Sequence, residues 1–227
     1  MYMSRARIDP ARCSAGQLLQ ITSGHAYAAH QLVWRLFSSG VGEDADKPRP
    51  FLYRQLEDSR TPMFYLLSDE APEDRDGYWS LATKPFEPRL KAGMRLQFDL
   101  RLNPVKKSRD ANGRQHRHDL VMDMKRDLRD GENGIDMPAL QQAAGLKWVA
   151  SRADQYGFRL VDDALLAEGY RQHRFHPGKK KSPIRFSSLD VKGLLEITDV
   201  EAFQAGLYHG IGPAKSFGCG LLLVRPA

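Results

Sequence analysis

From Met94 to Asn103 the chain alternates without interruption: Met94, Leu96, Phe98, Leu100 and Leu102 are apolar, and Arg95, Gln97, Asp99, Arg101 and Asn103 are polar. A period of two over this length is the mark of a half-buried β-strand. The chain on its C-terminal side suggests the fold around it. Beyond Pro104 lies the charged stretch VKKSRDANGRQHRHD, in which Asn112-Gly113 marks a turn, and polar chain continues to about Asp136. A connection this long reads as irregular, and either functional or disordered. Pro138 then opens the helix PALQQAAGLKWVASRADQYG, and strands are expected at Phe158 to Ala167, Tyr170 to His176 and Pro183 to Ile197. Asp199 caps a short helix to about His209, and Gly218 to Val224 supplies an apolar final strand. The order follows β-α-β-β-α-β, with one strand more between the helices than that unit holds.

The first part of the chain gives the same order in weaker form. Met1 to Ile8 alternates in part and reads as an opening strand. Ser23 is available to cap a helix over His25 to Phe37, where Ala29, Leu32, Val33 and Leu36 recur at helical spacing before Gly40 and Gly42 stop it. Phe51 to Glu57 and Met63 to Leu67 form a hairpin across Asp58-Ser59-Arg60-Thr61-Pro62. The acidic stretch Asp69 to Gly77 offers at best a short helix before a strand near Leu81 to Leu90. The expectation is an α+β chain of two tandem βαββαβ units, at 1–90 and 91–227.

Charge narrows the function classes. With 34 Lys+Arg against 28 Asp+Glu the formal net charge is +6, which favours polyanionic partners without identifying one. Cys13 and Cys219 have no second cysteine at metal or redox spacing, so a reducing compartment is the default. No apolar run approaches the roughly 20 residues a membrane span requires, and the expected location is the cytoplasm, with no membrane partner.

Three stretches can carry chemistry. In YAAHQLVWRLF, Tyr27 and His30 are helical neighbours about 5–6 Å apart at Cβ, so an imidazole suited to proton transfer near neutrality sits beside a phenol. The same spacing also suits a helix in which Tyr27, His30 and Trp34 merely pack. In GIGPAKSFGCG, Gly210 and Gly212 allow close backbone approach to a phosphate, with Lys215 and Ser216 adding a charge and a hydroxyl; a tight turn is the alternative. It is no nucleotide P-loop, since the spacing G-x-x-x-x-G-K-[ST] and the following helix are absent. YRQHRFHPGKKKSPIR holds Arg171, Arg174, Lys179, Lys180, Lys181 and Arg185, with no acid between Glu168 and Asp190. That composition suits either a nucleic-acid backbone or a solvated face. His116, His118, His173 and His176 lack a carboxylate or cysteine at ligand spacing, so neither a metal nor a cofactor is expected.

Taken together, MYMSR, the YAAHQLVWRLF helix and GIGPAKSFGCGLL resemble the CasE family, the type I-E CRISPR endoribonucleases. The resemblance implies two tandem ferredoxin-like, RRM-related domains that bind the stem-loop of a CRISPR repeat. It further implies cutting at the 3′ base of the stem without a metal, through the ribose 2′-OH, to leave a 2′,3′-cyclic phosphate and a 5′-OH. The family stays bound to the crRNA as a subunit of the type I-E surveillance complex. Its catalytic histidine falls on His30 and the accompanying tyrosine on Tyr27, while Arg35 stands where some relatives have lysine. The glycine loop maps to Gly210 through Gly220. Two rivals predict different behaviour: a scaffold that holds the hairpin without cutting it, and a metal-dependent nuclease that a chelator would stop.

Overall fold

The computed structural model describes residues 1–22, 26–37, 51–56, 61–109, 113, 115–128, 136–176 and 182–227. Ser23, the expected helix cap, and Lys179, Lys180 and Lys181 lie outside the described residues.

In the first unit, β1 (Tyr2–Ile8) is followed by α1 (Ala15–Thr22) and α2 (Ala26–Trp34), then by β2 (Phe51–Leu56), β3 (Met63–Ser68) and β4 (Trp79–Pro85). The sheet order is β2-β3-β1-β4, with every pairing antiparallel. Burial alternates along β1, so Ala6 and Ile8 meet Leu32, Val33 and Leu36 of the α2 region and Phe37, Phe51, Phe64 and Trp79 in one core. Helix α1 was not expected. Its signal is the capping box Ser14-x-x-Gln17, in which Gln17 N donates to Ser14 Oγ at 3.2 Å and Ser14 N to Gln17 Oε1 at 2.8 Å.

The short helix expected between Asp69 and Gly77 does not form, and β4 ends at Pro85 instead of continuing to Leu90. The acidic segment instead satisfies carbonyls at the end of the α2 region. Glu73 N donates to Leu36 O at 2.8 Å, and the Arg75 guanidinium to Phe37 O at 3.1 Å.

The second unit opens with β5 (Arg95–Leu102), the alternating strand, and later adds α4 (Met137–Ala153), β8 (Phe158–Phe175), β9 (Ile184–Ile197), α5 (Val200–His209) and β10 (Leu222–Pro226). Its order, β10-β5-β9-β8, repeats the first sheet's arrangement, and both units are ferredoxin-like. Leu96, Phe98, Leu100 and Leu102 share one face and bury against Trp148, Val149 and Leu189. Helix α4 starts where Asp136 accepts from Ala139 N at 3.2 Å, and α5 where Asp199 accepts from Ala202 N at 3.1 Å.

Two expectations fail here. The stretch after Pro104 is not irregular: it forms the hairpin β6 (Val105–Arg109) and β7 (Gln115–Asp119), then α3 (Leu120–Leu128), where Asp119 accepts from Met122 N at 3.0 Å. The two strands expected on either side of Glu168 are one, because Gly169 at φ 69° absorbs a bulge that turn chemistry suggested was a break.

Leu52 and Leu67 of the first unit and Leu221 of the second form a shared apolar seam. Beside it Arg54, only 6% exposed at its side chain, crosses to Asp99 at 2.5 Å and Asp190 at 3.4 Å, while Arg101 grips Asp190 through two hydrogen bonds of 2.8 and 2.7 Å. This network ties β2 to β5 and β9.

Candidate active site and nucleic-acid interface

Because α2 packs its Ala29, Leu32 and Val33 stripe inward, His30 lies at the margin of the core, on the side toward β2. Its ring is 6.2 Å from both Phe51 and Tyr53 and 6.0 Å from Trp34, edge to face with the indole. Trp34 Nε1 donates to His30 Nε2 at 2.8 Å. As an acceptor at Nε2, the neutral ring carries its proton on Nδ1.

The second unit supplies the opposite wall. Phe217, in the single 3-10 turn Lys215–Phe217 of the glycine loop, lies 6.5 Å from His30. Tyr53 Oη donates to Ser216 O at 3.0 Å, fixing that turn against β2. Phe217 in turn stacks on Phe186 at 4.8 Å and meets Phe175 edge-on at 5.4 Å, while Phe186 stacks on His173 at 4.4 Å. The three stretches singled out in the sequence therefore meet through one aromatic chain.

Gly212 (φ 80°) and Gly210 (φ 75°) are explained locally. A Cβ at Gly212 would come within 2.7 Å of the Trp148 ring, and one at Gly210 within 2.9 Å of Leu52. Gly210 lets the loop press into the seam between the units, and Gly212 lets it press on the core of the second unit. Lys215 Nζ donates to His209 O at 2.6 Å, so the lysine's charge is held over the end of α5.

On the arm formed by the outer part of β8 and β9, Arg174 is in register with Arg185, and both are exposed. Like charges placed directly opposite on a ladder destabilise it unless an anion intervenes. Arg171 is exposed further in, opposite Ser188. The other face of the arm, which Arg171 shares by the two-residue period, carries His173, Phe175 and Phe186 toward Phe217.

Arg35 is not brought to this cluster. It follows the last residue of α2 and pairs with Asp76, beside a polar groove of about 310 Å³ lined by Gln17, Gln31 and Tyr78. Tyr78 is pushed up to about 12, first by burial and then by the Asp76 carboxylate. Tyr27 lies on α2, but its side chain falls outside the described residues. Among the described residues no three His, Cys, Asp or Glu side chains gather to hold a metal ion. No described helix is long and apolar enough to cross a membrane.

Sequence reasoning missed Phe217, Phe186 and Tyr53. An aromatic inside a glycine-rich loop was the available signal for Phe217; the other two have none apart from the fold.

Two tandem ferredoxin-like units, with a helix-borne histidine closed over by a glycine-rich turn and flanked by an arginine-bearing arm, define the class. A family model described as CRISPR associated protein matches residues 1–226. The chain is 30% identical over 203 residues to the CRISPR system Cascade subunit CasE of Escherichia coli, covering 88% of this chain and 92% of that one. It is 28% identical to the CRISPR-associated endoribonuclease Cse3 of Thermus thermophilus across the whole of both chains. Among solved structures it resembles a Cse3 endoribonuclease bound to a 19-nucleotide RNA (TM-score 0.67, 25% identity, 99% of each chain). It also resembles Escherichia coli Cas6e (TM-score 0.66, 26% identity, all of each chain). The chain belongs to the CRISPR-associated protein family, in its CasE branch.

Proposed function

We propose that this chain is a metal-independent endoribonuclease of 1–90 and 91–227 domain organisation that binds the stem-loop of CRISPR repeat RNA. It cuts at the 3′ base of the stem to release crRNA, and remains bound as a subunit of the type I-E surveillance complex. The observation that carries this reading is the placement of His30 against Phe217, where the catalytic helix, the glycine turn and the basic arm meet. The relatives support it: one is named an endoribonuclease and another a Cascade subunit.

The nucleophile belongs to the substrate. The ribose 2′-OH attacks the adjacent phosphorus, the P–O5′ bond breaks, and the products are a 2′,3′-cyclic phosphate and a 5′-OH. His30 takes the 2′-OH proton or delivers one to the leaving 5′-oxygen, a contribution of about 10²–10⁴ in rate. To act as base through Nε2 it exchanges the Trp34 N–H for the ribose hydroxyl, since both compete for one lone pair. Tyr27 would orient the attacking hydroxyl. Arg35 would reach the phosphorane by exchanging Asp76 for the phosphate, and Lys215 with amides of the Gly210 to Gly220 loop would add positive potential. On the arm, Arg171, Arg174 and Arg185, with Lys179, Lys180 and Lys181 at its sequence tip, would follow the stem backbone, whose deep groove hides its base edges.

A non-cutting hairpin scaffold is favoured by one observation, the occupation of His30 Nε2 by Trp34. Purified protein with a repeat hairpin in EDTA separates the readings. Cutting of the all-ribose hairpin, absent when the single scissile ribose is 2′-deoxy and absent with His30→Ala while binding persists, is expected. Tight binding without cutting would establish the scaffold, and cutting abolished by EDTA would establish a metal-dependent nuclease.

A further inference from the structure

The glycine turn and the arm meet α2 on the side of His30, through Phe217. A different side of the same helix faces α1, and the polar groove of about 310 Å³ opens there. Gln31 and Leu32 of α2, with Arg35 just past its end, stand across from Gln17 and Ile21, which are four residues apart on α1. Buried Tyr78 completes the lining. The capping box of Ser14 and Gln17 that starts α1 thereby also fixes one wall of the groove. Gln31 follows His30 in sequence and lies about 100° further around the helix. A strand that leaves the histidine across the exposed side of α2 therefore meets this groove next.

The volume lies at the lower end of the range for small-ligand pockets, about 300–1,000 Å³, enough for one nucleotide and not for a duplex. Recognition of phosphate alone calls for cations and backbone N–H groups. Here a single cation, Arg35, accompanies two amides and a hydroxyl. Gln17 Oε1 already accepts from Ser14 N at 2.8 Å, so what Gln17 offers the groove is its amide donors. Gln31 is exposed and offers a donor and an acceptor together, the pair that reads a base edge. Tyr78 stays a hydroxyl, because burial and then the Asp76 carboxylate push its phenol up to about 12. Ile21 and Leu32 add apolar surface against which the plane of a base can lie.

We propose that this groove binds the base of the first nucleotide 3′ of the cut bond, with the amides of Gln17 and Gln31 hydrogen bonding its edge. This rests on the proposed cutting at the 3′ base of a stem. With the stem on the Phe217 side of His30, the strand beyond the cut runs to the α1 side. Arg35, at the groove, then faces the phosphate that joins this nucleotide to the stem. A base still paired in a duplex cannot enter, so the groove selects for single strand immediately 3′ of the cut and sets the boundary of the duplex at His30.

The test is equilibrium binding of the full chain to three RNAs. The first is a repeat hairpin with its 3′ flank, made uncleavable by one 2′-deoxy ribose at the scissile position. The second is the same RNA with an abasic ribose at the first position 3′ of the scissile phosphate, and the third ends at the base of the stem. Removing the base is expected to weaken parent binding roughly five- to fiftyfold. Gln31→Ala, an exposed helix position where alanine is well tolerated, is expected to weaken binding of the intact RNA roughly three- to tenfold. The same variant should bind the abasic RNA and the stem-ending RNA as the parent does, so that the two losses are coupled. Equal parent affinity for intact and abasic RNA would overturn the inference. So would a Gln31→Ala loss that persists on the abasic or stem-ending RNA, which would mark a folding role. A coupled loss in protein that never cuts the all-ribose hairpin would support the groove while removing the proposed cutting. A parent that binds none of the three would remove the stem-loop reading and the groove with it.

Discussion

The indole of Trp34 holds His30 from one helical turn away, with Nε1 donating to Nε2 at 2.8 Å. The bond sets both the tautomer and the tilt of the imidazole, because which nitrogen carries the proton follows from the partner of the other. Trp34→Phe keeps an aromatic ring at 5.0 Å packing distance from Phe51 but removes the donor. Single-turnover cutting should slow by roughly tenfold, within the penalty that misplacing a catalytic group carries, while affinity for the uncleavable hairpin holds. An unchanged rate would show that the bond plays no part in positioning.

Asp76 restrains Arg35. Under the proposed role of Arg35, Asp76→Asn should free the guanidinium and remove a negative charge beside it, tightening hairpin binding severalfold at low salt and less at high salt. The same change should bring the Tyr78 phenol down from about 12 toward its ordinary value near 10, because one of its two main causes is gone while burial remains. Ultraviolet titration of the phenolate reads this directly.

The crossing from β2 to the second sheet depends on Arg54. Arg54→Met would leave Asp99 and Asp190 without that cation. A fully buried pair broken this way costs about 3–5 kcal/mol, but Asp99 is 37% exposed, so about 2–3 kcal/mol is expected in urea unfolding.

Burial pushes the Asp190 carboxyl up, but the hydrogen bond and charge of Arg101, with Arg54 and Lys192, outweigh it and hold the group below the usual carboxylate range. A depressed folded value means the stabilisation is present above the unfolded value of about 3.9 and is lost as pH falls through the folded one. Asp190→Asn should therefore be less stable than the parent at pH 7, with the two urea midpoints converging in strong acid.

Gly212→Ala tests the packing of the glycine loop on the core of the second unit. It would combine a left-handed backbone with a methyl 2.7 Å from the Trp148 ring, so a loss of about 1–3 kcal/mol is expected, with a lower melting temperature.

Period and punctuation made most of this fold legible. Strict alternation marked β5, and Asp199 marked the start of α5, because each signal is local. The missed elements have local signals of another kind: the Ser14 to Gln17 box for α1, and Asn112-Gly113 flanked by charged residues for β6–β7. A hairpin with few apolar residues cannot show the hydrophobic alternation by which strands are recognised. At the site, His30 and the glycine loop were visible as residue types, but Phe217 meeting His30 depends on packing between units and on the register of β9. The Arg35 side chain points to Asp76 because α2 has ended one residue earlier, which no spacing rule reveals.

The unbroken course of β8 from Phe158 to Phe175 has a mechanical consequence. One strand pair forms both the arm and one side of the second sheet, so tension directed along the arm loads the β8–β9 ladder in shear. Many bonds then share the force, where a separate hairpin on a linker would peel open one pair at a time. The arm is a cantilever continuous with the sheet that carries it, a firmer mounting for the stem of the proposed function than a hinged hairpin would be.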